Sequence, residues 1–197
     1  MNKPIRLSGE LLDIVDRHSG EPTGEQQDKA LIHQDGLWHR DVHVWVTNGT
    51  HFLQQQRTWG KKIMPGQWDI SVGGHVGGGE SYAEAALRET EEELGLRIAP
   101  QRLIPAGKLA VEMAMENGSW MHRVVGDNFV VVERSLQPEN LADQLTLQTS
   151  EVLGARLYDL DQLEADLANP DTARQHAEQP PELWTLGITA MRQAIQL

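Results

Sequence analysis

Apolar and polar residues alternate most sharply between His39 and Thr47, where Val42, Val44 and Val46 interleave with Asp41, His43 and Trp45. A period of two predicts a strand. Asn48-Gly49 and then a second strand-like run, His51–Arg57, follow it, and this pattern predicts a hairpin. Residues 9–17 predict a short strand, whereas His18–Gln27, rich in Gly, Pro, Glu and Gln, predicts a turn or loop. Trp68–Val72 is a further short strand running into residues 73–79, five of which are glycine. Glycine loses the most backbone freedom on ordering, so this stretch predicts a tight loop. Ser81 and Glu84 then have capping-box spacing, a helix follows over Tyr82–Leu94, and Gly95 suits its left-handed end. Leu103–Met115 and Met121–Arg134 are strand-like. Tyr158–Leu167 and Pro181–Leu197 carry helical spacing, with Trp184, Ile188, Met191 and Ile195 three or four residues apart. Interleaved strands and helices predict an α/β or α+β class with a mixed sheet.

Composition narrows the chemistry. A chain of 197 residues is long enough for one domain with its own core. With no Cys there is no disulfide framework, thiolate metal site or thiol nucleophile. The 29 Asp and Glu against 17 Lys and Arg give a net charge of −12, which argues against nucleic acid polymers as partners. No apolar run approaches the roughly 18 residues of a membrane span, and the first residues lack a signal-peptide core. The cytoplasm is the expected location.

The helix over Tyr82–Leu94 concentrates the acids. Projected at about 100° per residue, Ala83, Ala86, Leu87, Thr90 and Leu94 form the expected core stripe. Glu89, Glu92 and Glu93 share an adjoining face at spacings of three and four, where like charges repel. Solvent can screen such a face, or a cation can occupy it. The glycine loop in front, Glu80 at the junction and Arg88 one turn before Glu92 favour the cation. Hard oxygen ligands suit Mg²⁺ or Mn²⁺, and magnesium suits phosphate.

Gly74, five residues, Glu80, seven residues, then Arg88-Glu89-Thr90-Glu91-Glu92-Glu93-Leu94-Gly95-Leu96 resembles the Nudix box, with Thr90 standing where the pattern has a bulky apolar residue. The resemblance implies the Nudix fold, a mixed β-sheet sandwiched between helices in α/β/α layers, with the box over residues 74–96. It divides the chain into an N-terminal strand and loop extension (1–36), a Nudix hydrolase domain (37–165) and a C-terminal helical extension (166–197). It implies Glu89, Glu93 and Glu92 as ligands for Mg²⁺, with Mn²⁺ a substitute. Arg88 would orient the carboxylates through a salt bridge to Glu92, and Glu80 would brace the box. The implied activity is Mg²⁺-dependent hydrolysis of a phosphoanhydride bond in a nucleoside diphosphate or a diphosphate linked to another moiety.

The segment Gln56–Trp68, with Ser71-Val72-Gly73-Gly74-His75 after it, is similar to isopentenyl-diphosphate isomerase, which shares the fold. That similarity implies diphosphate contacts for Arg57 and Lys61, with Gly74 beside them in the substrate site. The isomerase's catalytic Cys is replaced here by Gly73, and His122-Arg123-Val124-Val125-Gly126-Asp127 stands where its later acids would be, so isomerisation is the disfavoured alternative. A diphosphate-metabolite sensor without turnover is another. His33, His39 and His75 resemble the isomerase's His ligands and could hold a second metal. Glu151 matches a family position that binds metal or activates water. Trp38, Trp59, Trp68 and Trp120 are candidates for stacking on a base. The apolar C-terminal helix around Trp184 offers a face for a homodimer.

Overall fold

The computed structural model describes residues 6–61, 63–115 and 120–196. Its centre is β3 (His39–Thr47), buried at all nine positions. The alternation read from the sequence sorts its side chains between two cores. Val42, Val44 and Val46 enter one with α2 (Tyr82–Leu94), through Ala85, Ala86 and Leu94. Trp45 enters the other with α4 (Leu160–Ala168) and α6 (Pro181–Ile195), against Leu163, Trp184, Ile188 and Met191. Gly187 on α6 makes that second core possible, since a Cβ there would stand 2.4 Å from the Trp45 ring. Among the described residues, no helix is long and apolar enough to cross a membrane.

β3 pairs in parallel with β8 (Trp120–Val132) and antiparallel with β6 (Val72–His75). β8 carries the edge strand β7 (Ile104–Met115), while β4 (His51–Arg57) pairs with β5 (Trp68–Asp69) and β9 (Val152–Asp159). The result is a seven-stranded mixed sheet with helices on both faces, as expected. The β3–β4 hairpin closes through the Asn48 side chain, which accepts from the backbone N–H of Thr50 and His51. Only Thr47 and Phe52 are in register, however, because the strands then diverge. Ser71 sits in the gap: its hydroxyl accepts from Val46 N–H and donates to Leu53 C=O, satisfying two buried backbone groups that the parting would orphan. The same insertion divides the expected Trp68–Val72 strand into β5 and β6.

Three further readings change. The expected loop at 18–27 contains β2 (Pro22–Asp28), paired with β1 (Leu11–Val15); most of its side chains face water, so no apolar alternation marks it. Tyr158 and Asp159 end β9 rather than start a helix, because the Asp159 carboxylate caps α4 by accepting from Gln162 N–H. On α2 the buried stripe is Ala85, Ala86, Thr90, Glu93 and Leu94, while Ala83 is exposed. The core face is rotated so that it takes in Glu93. Between β2 and β3 lies α1 (Lys29–Asp35), started by the Asp28 carboxylate and ended by Gly36 in the left-handed region.

Candidate active site

The glycine stretch is a strand before it is a loop. Gly73 and Gly74 lie within β6, opposite His43 and Val42, and the chain turns only after Val76 enters the core. A Cβ on Gly74 would fall 2.2 Å from the Glu89 carboxyl carbon, so glycine is what lets α2 lay a carboxylate against the strand. The turn itself is tied down: Gly77 N–H donates to Glu80, Gly78 N–H to Leu11 C=O, and Gly79 N–H to Asp13. Arg40 adds a bond to Asp13 at 2.7 Å and another to the Glu80 carbonyl at 2.8 Å. Ser81 and Glu84 form the expected capping box, and Gly95 ends α2 at φ 72°.

Arg88 gathers the acids. Its guanidinium forms a bidentate pair with Glu80 at 2.9 and 2.8 Å and donates to His75 C=O at 3.1 Å. Its Nη1 reaches Glu89 at 2.7 Å and Glu92 only at 3.4 Å. The principal partners are thus Glu80 and Glu89, where the sequence suggested Glu92. A fork-shaped cation can serve three carboxylates at once. Its bonds hold the Glu80 carboxyl below the usual range. Glu93, 5 % exposed, accepts from Gln55 Nε2 at 2.9 Å; burial, reinforced by the charge of Glu89, pushes its pKa up to about 8. Burial also raises Glu89. Two crowded, desolvated carboxylates are electrostatically incomplete, as a divalent-cation site is before its ion.

These acids line a cavity of about 390 Å³ that cations line as well. Arg57 bonds Asp69 at 2.9 Å and Ile63 C=O at 3.0 Å, and Lys61 pairs with Glu151. Lys29, paired with Glu10, lines the cavity as well. Around this cavity stand Glu89, Glu92, Glu93, Arg88, Arg57, Lys61, Gly74, His75 and Glu151, whereas Glu80 stands behind Arg88 and His33 and His39 do not line it. Lys62 lies outside the described residues, as does the side chain of Trp120. Trp38, Trp59 and Trp68 do not line the cavity: Arg17 covers Trp38, Arg156 stacks on Trp68, and Trp59 is 72 % exposed beside Gly66.

Next to the acids, four imidazoles meet. His33 lies 5.0 Å from His39, 5.3 Å from His75 and 5.8 Å from His122, ring centre to ring centre. Asp41 faces His122 at 3.5 Å and both His39 and His75 at 3.9 Å. Ligand atoms of His33, His39 and His122, and of His39, Asp41 and His75, come within 4.8 Å of one another. Burial drives His39 down to about 4 and His122 to about 3, so both rings are neutral near pH 7. His122 and Asp41 escaped the sequence reading because nothing along the chain links them to His33. The alternation around His39 did signal that Asp41 shares a face with it.

Residues 37–179, which carry these carboxylates, the glycine that admits them and the clamping Arg88, match the NUDIX domain. The chain belongs to the NUDIX family. It is 32 % identical over 169 residues to Nudix hydrolase 3 of Arabidopsis thaliana, covering 85 % of this chain and 21 % of that protein. It is 44 % identical over 103 residues to an uncharacterized Nudix hydrolase of Streptomyces coelicolor, covering 51 % of this chain and 55 % of that one. The chain thus spans a fifth to about half the length of these relatives. An isopentenyl-diphosphate Δ-isomerase of Escherichia coli is 39 % identical over 89 residues, 45 % of this chain and 49 % of the isomerase. Among solved structures, a Deinococcus radiodurans protein shares the fold at TM-score 0.59 and 21 % identity, over 90 % of this chain and 97 % of that one.

Proposed function

We propose that the chain is a divalent-metal-dependent hydrolase that cleaves a phosphoanhydride bond in a nucleoside diphosphate or a diphosphate joined to another group. The observation that carries this reading is that Glu89, Glu92 and Glu93 line one cavity together with Arg57 and Lys61. The donor set fits Mg²⁺, or Mn²⁺ in its place, held by Glu89, Glu92 and Glu93, two of them desolvated carboxylates whose pKa values burial raises. Bound there, the ion supplies polarised phosphoryl oxygens and a more acidic water. The chain's own residues do the rest. Arg88, fixed by Glu80, keeps Glu89 at the strand and Glu92 within reach. Arg57 offers a planar fork and Lys61 a point charge to diphosphate oxygens. Each is already paired with a carboxylate, Arg57 with Asp69 and Lys61 with Glu151. Gly73 leaves no thiol for isomerisation, and an intact acidic cradle is more than a sensor needs.

The test is product release from a panel of nucleoside diphosphates and diphosphate conjugates, with and without Mg²⁺, by wild type and Glu93→Gln. Cleavage that requires the metal and collapses in the variant is expected. Equal rates for both proteins would overturn the assignment of the metal site, and double-bond migration in a prenyl diphosphate without hydrolysis would restore the isomerase.

The imidazole cluster favours a second reading at its own location: a second metal held by His33, His39 and His122 with His75 and Asp41 beside them. Neutral imidazoles suit Zn²⁺ or Fe²⁺ better than Mg²⁺. Elemental analysis of purified protein should find a transition metal that His122→Ala loses. Equal metal content in both would end this reading.

A further inference from the structure

The sheet does not stop at β5. Trp68 N–H donates to Gln175 C=O at 2.9 Å and Ala177 N–H to Trp68 C=O at 2.7 Å, so the segment after α5 (Pro170–Ala173) runs beside β5 as a parallel edge. A buried hub fastens it from behind. Asp166, 4 % exposed, accepts from Tyr158 Oη, from Gln162 Nε2 at 2.8 Å and from Gln175 Nε2 at 2.9 Å, and faces His176 at 3.4 Å. His176 in turn meets Gln54 of β4 at 3.1 Å. The segment is therefore held at both its backbone and its side chains.

Its end enters the active-site cavity. Gln179 lines the wall and its Nε2 donates to Asp69, 3.1 Å from Oδ1 and 3.4 Å from Oδ2. Asp69 is 2 % exposed, and its remaining partners are Ile70 N–H at 2.8 Å and Arg57 Nη1 at 2.9 Å. Arg57 Nε is committed to Ile63 C=O. Two of its three nitrogens are thus fixed by the wall, and because the guanidinium is planar they also fix the direction of Nη2, to which no partner is assigned among the described residues. A carboxylate in the wall of an anion site repels the anion unless donors consume its lone pairs. Gln179 supplies such a donor from an element far along the chain.

We infer that Gln179 is a positioning residue for the diphosphate: it holds Asp69, and through Asp69 it sets the aim of Arg57. The inference rests on the reading that Arg57 receives the diphosphate. It makes the C-terminal segment a working part of the site, since the arm built on Asp166 and β5 determines where Gln179 stands. Substitution there should weaken substrate binding while the acidic helix works on as before.

The experiment compares wild type, Gln179→Leu, Asp69→Asn, the double variant and Arg57→Gln. It measures kcat and KM on the best substrate of the panel, and Mg²⁺-pyrophosphate affinity by calorimetry, which reads binding whether or not a substrate is in hand. Gln179→Leu should raise KM and the pyrophosphate Kd about 5- to 20-fold, the loss of one hydrogen bond to a charged group. Its kcat should stay within about twofold, with melting lowered by no more than in Asp69→Asn. On the Asp69→Asn background the same change should add less than about twofold, because the two act through one contact. An unaltered KM and Kd in Gln179→Leu, or a fall in kcat and melting temperature alone, overturns the inference. If Arg57→Gln also leaves KM and Kd unaltered, the diphosphate reading of Arg57 falls with it; if Arg57→Gln weakens both, only the role of Gln179 falls.

Discussion

The acid face of α2 and the imidazole cluster lie side by side along one cavity, yet they are built on opposite electrostatic terms. Glu89 and Glu93 are crowded carboxylates that burial makes expensive to ionise, and Arg88 offsets part of that cost. The imidazoles of His39 and His122 are neutral because burial disfavours their charge. On the proposed reading the first region takes a hard cation and the second a softer one. Their origins differ as well. The acids come from a single helix with a glycine strand before it, whereas the imidazoles arrive from α1, β3, β6 and β8. Chemistry that requires charge accumulation can be written in a few consecutive turns, while a nitrogen cluster requires the whole sheet.

Breaking the acid face should have the largest effect. Glu89→Gln is expected to lower kcat/KM by about 100-fold or more, the scale of losing one preorganised electrostatic group. Steady-state kinetics at saturating Mg²⁺ measures this, and a loss below threefold would mean that α2 is not where the reaction is run. Next comes Gly74→Ala. Its Cβ meets only the flexible end of Glu89, so the fold should survive while the carboxylate is displaced. A fall of about 10- to 100-fold in kcat with near-native melting is expected. Should activity survive intact, the close approach of Glu89 to β6 would have no catalytic meaning.

The cluster should behave the other way. His122→Ala is expected to weaken transition-metal binding at least about tenfold and to leave Mg²⁺-supported turnover within about threefold. If both fell together, the two regions would be one site and the contrast between them would vanish. The smallest effect belongs to His176, away from the cavity's acids. Burial holds its pKa below the usual 6.5, so the unfolded chain binds the extra proton. Its contribution to stability is full above about pH 6.5 and is lost as pH falls toward its folded pKa. Melting temperature should therefore fall between pH 7 and 5, with the buried His39 and His122 contributing in the same direction, and His176→Gln should remove part of that fall while lowering the plateau. An identical slope in the variant would mean that His176 does not set the pH dependence.

Local signals were legible in the sequence wherever their physics is local. β3, β4 and α2 sit at the residues the pattern predicts, because alternation, a capping box and a left-handed glycine are all written within a few positions. β2 was not legible: a strand wet along most of its length needs no apolar rhythm. The division of Trp68–Val72 depends on Ser71 finding Val46 and Leu53, residues 25 and 18 positions away. The same limit applies to the site. Helical spacing puts Glu89, Glu92 and Glu93 on one face of α2, and the resemblance to the Nudix box adds Arg88 and Gly74. Asp41, His122, Asp69 and Gln179 owe their positions to sheet order, and no periodicity announces that order.

The central claim is that cleavage depends on a divalent ion held by the α2 carboxylates, and the Mg²⁺ dependence of turnover in wild type and Glu93→Gln at saturating substrate tests it most directly. The account predicts that the variant needs at least about tenfold more Mg²⁺ for half-maximal rate and reaches a far lower maximum. Superimposable Mg²⁺ curves with equal maxima would contradict it.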